Sequence, residues 1–277
     1  MINGMVRSWM SSPVITVTPE TSLTEARKII DEKKIRALPV TKNGKLVGII
    51  TKRGLLRFDL TILENDSWNQ GMEVKQQSVG EVMPLKPITL TPETLIPKAA
   101  RIMLENKITA LPVVEDSELV GILTNSDLLR FILAEFPGLQ KDLRVRDYMT
   151  DGVVTIDEET TLLESHRLMG TKRIRSLPVM RDGALVGLVT RTDLMSSDPS
   201  RLTRRNQELS VKLLTQPVKK LMTKEVLTVT PETELTRAAA LMHDHKIHAL
   251  AVLDGEKKLV GIITESDLFL MIVQKFN

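Results

Sequence analysis

The residues most able to do chemistry are three threonine–aspartate pairs with identical spacing. The stretches GILTNSDLL, GLVTRTDLM and GIITESDLF each place an aspartate three residues after a threonine, at Asp127, Asp193 and Asp267. A carboxylate has two acceptor oxygens and no donor, so it can accept both hydroxyls of a ribose 2′,3′-diol. If a helix begins at the threonine, its free N–H groups would also suit a phosphate.

A purely structural role explains the same residue types. A threonine at the N-cap and an acidic residue three positions later both satisfy N–H groups at the start of a helix. A negative charge there is also favoured by the helix dipole. For any single copy this capping role is the simpler interpretation. The two roles are compatible, and the sequence leaves both open.

The motif belongs to a larger unit that occurs four times. A glycine opens each phrase, at positions 48, 121, 187 and 261, and a methionine precedes it at positions 10, 83, 149 and 222. The methionine and the glycine are 38 residues apart in the first three copies and 39 apart in the fourth. The extra residue is expected in the turn DGEKK. Copy one has Gly54 where the other copies have the aspartate.

Each copy reads as a β-α-β-β-α unit of an α/β (α+β) fold. A β-branched run such as VITVTP predicts a first strand, and helical spacing follows it, with capping signals at Ser22 and Thr161 and a first-turn proline at Pro97. IRALPV and LVGII then predict a hairpin that leads into a helix at the threonine. So small a unit cannot cover both faces of its sheet, so the copies are expected to pair.

The linkers indicate which copies pair. Longer polar segments lie between copies one and two and between copies three and four, whereas a shorter, partly apolar segment joins copies two and three. We therefore predict two modules of two copies, 1–137 and 141–277. The predicted copies span 1–62, 74–137, 141–198 and 212–277.

Composition sets limits on the class of protein. The chain of 277 residues is 42% apolar and 26% charged, which is ordinary for a globular protein. The absence of cysteine excludes disulfides and thiolate chemistry. The start has no signal-peptide core, and no apolar run is long enough to span a membrane, so we expect a cytoplasmic protein without membrane contact. We find no GxGxxG, HExxH or GxSxG motif, and the carboxylates are spread one per repeat, so we expect no enzyme.

Each of the four copies contains segments similar to VITVTP, IRALPV and LVGIITESDL, and these segments resemble cystathionine-β-synthase (CBS) domains. Four in tandem resemble the gamma subunit of AMP-activated protein kinase and its archaeal relatives. The resemblance implies two Bateman modules that form a flat disc, with AMP, ADP, ATP or S-adenosylmethionine in clefts between paired domains. It implies a non-catalytic regulatory energy sensor that needs no other cofactor. Occupancy of the clefts would be transmitted to a partner protein or a second copy of the chain.

The resemblance also assigns roles to individual residues. It places Asp127, Asp193 and Asp267 on ribose diols. It places near phosphate or hydroxyl groups Thr51, Thr124, Thr190, Thr264, Arg36, Arg175 and His248, and on the adenine side Thr16, Thr89, Thr155 and Thr228. Copy one departs from the pattern at Gly54, copy two has Thr109 at the basic position, and copy four has Ala251 in place of a proline. We therefore expect two or three usable sites.

Two other functions compete with this interpretation. The basic segment 201–212 between copies three and four could contact nucleic acid, although the net charge of +3 disfavours it. The chain could also be a purely structural adaptor in which the aspartates only cap helices. His243, His245 and His248 lie close in sequence, but their spacing does not place them on one helix face, so no metal site is predicted.

Overall fold

The computed structural model describes residues 4–52, 54–55, 77–136, 143–191, 193 and 214–275. The helices among them are α1 Leu23–Glu32, α2 Val79–Val82, α3 Ile96–Asn106, α4 Asn125–Glu135, α5 Leu162–Thr171, α6 Leu235–Asp244 and α7 Glu265–Lys275. The strands are β1 Ala37–Lys42, β2 Lys45–Thr51, β3 Ala110–Glu115, β4 Glu118–Thr124, β5 Ile156–Asp157, β6 Ser176–Arg181, β7 Ala184–Thr190, β8 Thr228–Val229, β9 Ala249–Leu253 and β10 Leu259–Thr264. The predicted mixed α/β repeat is confirmed.

The chain divides into two compact units. Unit 1 comprises Met1–Ile132 with Phe269–Asn277, and unit 2 comprises Leu133–Leu268. Unit 1 contains a four-stranded sheet in the order β1-β2-β4-β3. Unit 2 contains two three-stranded sheets, ordered β5-β6-β7 and β8-β9-β10.

Each copy is built around the predicted hairpin. The two long strands pair antiparallel, for example β1 with β2 and β6 with β7. In copies one and three the turn has positive φ at two consecutive residues, Asn43-Gly44 and Asp182-Gly183. That is the type I′ geometry that asparagine, aspartate and glycine favour, because its twist matches the twist of the strands. The extra residue of copy four lies in the longer turn between Leu253 and Leu259, as expected.

The first strand of each copy is short. In unit 1 this segment forms only single parallel bridges, Val17 to Val40 and Leu90 to Val113. In unit 2 it forms the two-residue strands β5 and β8. Each copy buries one aliphatic residue here, and the turn residues that follow leave no length for a longer ladder.

The pairing of copies rests on an exchange of their starting segments. In unit 1, Val79, from the start of copy two, belongs to the hydrophobic core of copy one, and Val82 and Met83 pack against that core. The backbone N–H of Val79 donates to the carbonyl of Thr21 at 2.8 Å. Reciprocally, the N–H of Val6 in copy one donates to the carbonyl of Thr94 in copy two at 2.8 Å.

Unit 2 repeats this exchange. Val218, from copy four, lies in the core of copy three, and Leu221 and Met222 pack against it. The N–H of Val218 donates to the carbonyl of Thr160 at 2.9 Å, and the N–H of Val145 donates to that of Thr233 at 2.9 Å. The four valines are all 0% exposed. Copies two and four therefore complete the cores of copies one and three, in agreement with the expectation that so small a unit needs a partner.

The two sequence markers that define the repeat touch each other across each pair. Met83 packs against Gly48 and Met10 against Gly121 in unit 1, and Met222 packs against Gly187 and Met149 against Gly261 in unit 2. A Cβ added at Gly261 would lie 2.8 Å from the Met149 sulfur, and the contact is closer still at the other three glycines. The glycines therefore leave the space that the methionine side chains of the partner copies fill.

This contact yields a prediction. Gly121→Ala should destabilise the protein by about 1–3 kcal/mol, because the new methyl group overlaps the Met10 side chain. Combining it with Met10→Ala should cost less than the sum of the two single changes, since the overlap is then removed. Denaturant unfolding of the four proteins measures this coupling.

Gly170→Ala is the matched control. A Cβ at Gly170, in the last turn of α5, meets nothing within 4 Å. Alanine there should be neutral or stabilise by up to about 1 kcal/mol, because glycine is a poor helix residue. Strict additivity of Gly121→Ala and Met10→Ala would contradict the packing described.

Candidate ligand-binding site

The threonine–aspartate motif lies where a strand passes directly into a helix. Thr124 ends β4 and α4 begins at Asn125, while Thr264 ends β10 and α7 begins at Glu265. Because no loop intervenes, the hairpin fixes the position of the threonine. The aspartate is then the third residue of the helix, in the first turn.

The three aspartates make the same pair of hydrogen bonds. Asp127 Oδ2 accepts from the Thr124 N–H at 2.8 Å and from its hydroxyl at 2.7 Å. The corresponding distances are 2.7 and 2.7 Å at Asp193, and 2.7 and 2.8 Å at Asp267. One carboxylate oxygen therefore caps the helix, which confirms the capping geometry. The single hydroxyl proton of each threonine points to this oxygen and not into open space.

An exposed acid at the start of α5 makes the same pair of hydrogen bonds, so it shows how burial changes the pKa of the aspartates. At the start of α5, Glu164 Oε2 accepts from the Thr161 N–H at 2.9 Å and from its hydroxyl at 2.7 Å. These hydrogen bonds lower the pKa of Glu164. At Asp127 and Asp267, burial raises the pKa of the carboxyl group, although the hydrogen bonds from Thr124 and Thr264 act to lower it. A helix can thus be capped without burying the acid.

In copy two the second aspartate oxygen is also occupied. Arg130 Nη2 donates to Asp127 Oδ1 at 3.1 Å and to the carbonyl of Trp9 at 2.5 Å. Ser11 Oγ lies 3.5 Å from the same Oδ1. The Arg130 guanidinium lies 5.8 Å from the centre of the Trp9 ring. Asp127, which is 5% exposed, is therefore held by protein groups on both oxygens.

In copy four the surroundings of the aspartate differ. Among the described residues, no side chain other than that of Thr264 is seen to donate a hydrogen bond to Asp267. Burial raises the pKa of Asp267, and the positive charge of Arg175 acts in the opposite direction. Arg175 belongs to copy three, so the start of α7 is approached by a cation from the other copy of its unit.

Glu265 is a site residue that the sequence analysis missed. Its side chain is 1% exposed, and its Oε2 lies 3.7 Å from Arg175 Nη2. The residue after the threonine is Lys52, Asn125, Arg191 or Glu265 in the four copies. This variation in charge was the only sign in the sequence that the position is unusual. A surface position would vary in the same way, so the variation did not indicate a buried acid.

The predicted basic position lies beside the start of the second helix in all four copies. The residue after each threonine donates its N–H to the carbonyl of this position: Lys52 to Arg36 at 3.0 Å, Asn125 to Thr109 at 3.2 Å, Arg191 to Arg175 at 2.9 Å and Glu265 to His248 at 3.1 Å. His248 Nε2 also lies 3.0 Å from Ser176 Oγ of copy three. These residues, distant in sequence, therefore meet the threonine–aspartate motif.

The predicted adenine-side threonines share one exposed position. Each precedes a buried aliphatic residue, and the four are Thr16, Thr89, Thr155 and Thr228. Ile15 and Ile88, directly before the first two, are 40% and 42% exposed. A cleft of about 510 Å³ in unit 1 is lined by Thr16, with Ser12, Pro13, Val14, Thr41, Gly44, Leu119 and Val120. Asp127 and Thr124 are not among the residues that line this cleft.

Copy one keeps only the cap. The N–H of Gly54 donates to Thr51 Oγ1 at 2.9 Å, so the threonine hydroxyl takes over the helix start. A Cβ added at Gly54 would lie 3.3 Å from this oxygen and 3.7 Å from Ile50 Cδ1. The backbone therefore has almost enough room for an aspartate, although the sequence does not supply one.

The basic segment 201–212 lies outside the described residues. Within the described ranges, no helix is long and apolar enough to cross a bilayer. His243 is exposed, and its Nδ1 lies 3.1 Å from Asp244 Oδ1.

The opposite pKa shifts predict opposite effects of pH on stability. The folded state raises the pKa of Asp127 and Asp267. Their protonated carboxyl groups therefore stabilise the folded state below about pH 4, and this stabilisation is lost as the pH rises through the folded-state pKa. Relative to Asp127→Asn or Asp267→Asn, the unsubstituted protein should therefore lose stability as the pH rises above about 4. Glu164→Gln should give the reverse trend, since the pKa of Glu164 is lowered. The stabilisation from ionised Glu164 is lost as the pH falls below about 4, so unfolding by denaturant from about pH 2 to pH 7 measures both trends. Parallel trends for the three substitutions would contradict the assignment.

Comparison with known proteins agrees with the repeats. The sequence profile described as "CBS domain" matches residues 6–61, 79–134, 145–199 and 218–274. The chain is 29% identical over 267 residues to the uncharacterized protein MJ1225 of Methanocaldococcus jannaschii, covering 92% of this chain and 94% of that protein. The crystal structure of MJ1225 is described as that of a candidate archaeal homolog of g-AMPK. It matches with a TM-score of 0.83 and 26% identity, over 99% of this chain and 100% of that one.

Two further structures are similar. An uncharacterized conserved protein from Pyrococcus horikoshii matches with a TM-score of 0.68 and 26% identity, over 97% of this chain and 100% of that one. CBSX2 from Arabidopsis thaliana, solved in complex with AMP, matches 47% of this chain and 97% of its own, with 32% identity and a TM-score of 0.41. Four matched segments account for more than half of the sequence. The chain therefore belongs to the CBS-domain proteins, with four CBS domains in tandem.

Proposed function

We propose that the protein is a non-catalytic regulatory sensor of adenosine-containing ligands. AMP, ADP, ATP or S-adenosylmethionine would bind in the clefts between paired CBS domains. Binding would alter the affinity of the chain for a partner protein or for a second copy. The family to which the chain belongs and the arrangement at the start of α7 support this proposal.

The observation that carries the proposal is the partial burial of the Asp267 carboxylate, which a cap does not require. Glu164 caps α5 with the same hydrogen bonds while exposed. Asp267 makes them in a position where burial raises its pKa. Keeping an ionisable group where its charged form is disfavoured costs stability, and such groups cluster at functional sites.

The hydrogen bonds suggest how Asp267 would hold a ribose. Oδ2 accepts both donors of Thr264, which fills its lone pairs. Oδ1 is then the atom that would accept the ligand hydroxyls. This refines the expectation from the sequence, in which both oxygens were available. Because the Thr264 hydroxyl donates to Asp267, its first role would be to orient the carboxylate, and contact with a phosphate would be secondary.

The copies are proposed to differ in binding. Copy four and copy three keep both the aspartate and a side chain able to carry positive charge at the basic position. In copy two, Arg130 already holds the Oδ1 of Asp127. Copy one has no carboxylate, because its residue is Gly54. We therefore rank Asp267 and Asp193 as the ribose-binding residues, Asp127 after them, and copy one last.

Ligand binding should raise the melting temperature. A ligand at 100 times its dissociation constant stabilises by about 2.7 kcal/mol per independent site. Each kcal/mol corresponds to roughly 2–4 °C for chains of about 150–250 residues. We expect a shift of several degrees with AMP, ATP or S-adenosylmethionine in a thermal melt, and none with CMP. Unchanged melting with every adenosyl compound would leave the structural-adaptor interpretation.

Asp267→Asn should separate the cap from the ligand site. The amide oxygen can still accept from Thr264, so the ligand-free protein should lose no more than about 1 kcal/mol. The amide nitrogen that replaces Oδ1 donates and cannot accept a hydroxyl proton. Affinity for the adenosyl ligand should therefore fall about tenfold or more in calorimetry.

Glu164→Gln is the matched control, because it makes the same change from carboxylate to amide at the exposed capping box that starts α5. It should leave ligand affinity unchanged. Asp193→Asn should remove a second binding event in the same way as Asp267→Asn. Unaltered affinity and stoichiometry in both aspartate variants would assign the carboxylates to capping alone.

A further inference from the structure

The start of α7 carries a buried acid, Glu265, two residues before the half-buried Asp267. Glu265 is 1% exposed, and its carboxylate lies 3.7 Å from the Arg175 guanidinium. Removing a charged group from water is costly unless a partner compensates it. Arg175 supplies that partner from copy three. The pair therefore joins the two copies of unit 2 at the point where the predicted ribose-binding and basic positions meet.

This pair alters what Arg175 can offer a ligand. The sequence resemblance places Arg175 on a phosphate, which requires its N–H donors and its positive charge. In the structure the guanidinium lies 3.7 Å from the Glu265 carboxylate. Its positive charge also acts to lower the pKa of Asp267, against the larger effect of burial. A phosphate entering here would have to compete with Glu265 for the guanidinium and would lie close to two acids.

The other copies show that the acid is particular to this position. The corresponding residues are Lys52, Asn125 and Arg191, none of which is acidic. Asn125 is also buried, at 3% exposed. An amide is therefore accommodated at this point of the fold, so capping and packing do not require the charge of Glu265.

We propose that the Asp267 cleft takes an adenosyl ligand whose 5′ substituent carries no net negative charge, such as a thioether or a sulfonium. Glu265 keeps Arg175 engaged and disfavours a phosphate at this point by like-charge repulsion. A sulfonium would instead be attracted by the two carboxylates. This inference rests on the proposed function, because it names the class of ligand for one of its sites.

The test is the ligand preference of Glu265→Gln in the full chain. Calorimetry with S-adenosylmethionine, 5′-methylthioadenosine and AMP is carried out in an Asp193→Asn background, which weakens the second site of unit 2. Before the Glu265 change, S-adenosylmethionine and the thioether should bind more tightly than AMP. Glu265→Gln should strengthen AMP binding by about tenfold, because the negative charge that repels the phosphate is removed. It should weaken S-adenosylmethionine binding, because the same charge attracts the sulfonium.

Two controls locate the effect. Glu256→Gln removes the same charge from the exposed turn of copy four and should leave the preference unchanged. In an Asp267→Ala background, Glu265→Gln should no longer alter the preference, because the cleft has lost its ribose contact. If Glu265→Gln fails to fold, Glu265→Asn provides the same neutralisation with the residue that copy two carries at this position.

The outcomes separate this inference from the proposed function. If the compounds bind but Glu265→Gln leaves the ratio of AMP to S-adenosylmethionine affinity unchanged, the selectivity inference is overturned while the sensor function stands. A preference for AMP with Glu265 intact would also overturn it. If none of the three compounds binds, both the inference and the proposed function are overturned.

Discussion

The exchange of starting segments within each unit is the constraint on which the other features depend. Val6, Val79, Val145 and Val218 are each 0% exposed, and the cores of copies one and three contain the valine of the copy with which each is paired. Burying a valine side chain contributes about 1.5–3 kcal/mol, and the methionine that follows fills the space above a glycine of the partner. A copy alone would lose this part of its core and expose the β-strand face that the partner covers. Pairing is therefore part of folding.

Pairing also brings side chains of one copy next to the aspartate of the other copy. The segment that buries Val6 also delivers Ser11 to within 3.5 Å of Asp127, a residue of the other copy. In unit 2, Arg175 of copy three approaches Glu265 and Asp267 of copy four. The surroundings of Asp127 and of Asp267 are therefore shared between two copies. A ligand that contacts both would act on the interface that holds the pair together, which is the physical basis for coupling occupancy to shape.

The copies that carry the aspartate share its hydrogen bonds to the threonine but differ in the side chains around its second oxygen. The pair of hydrogen bonds from threonine is constant, with distances of 2.7–2.8 Å. Beyond that oxygen the surroundings diverge: Arg130 holds Asp127, whereas Glu265 and Arg175 lie beside Asp267. Internal duplication preserves what the backbone requires. The charges around the second oxygen are free to vary, because they contribute little to the cap.

The sequence by itself determined the repeat, the hairpins, the turn residues and the helix starts, because these depend on local periodicity and on conformational preferences within a few residues. It also placed the threonine–aspartate motif at the start of a helix. It could not show which groups reach that motif from the partner copy, since Ser11 and Arg175 are brought near Asp127 and Asp267 only by packing. The β-branched runs ended by turn residues marked short first strands, and the structure shows them as one or two ladder positions. Burial of Glu265 and the raised pKa of Asp267 depend on which surfaces lose contact with water, and only the tertiary structure decides that.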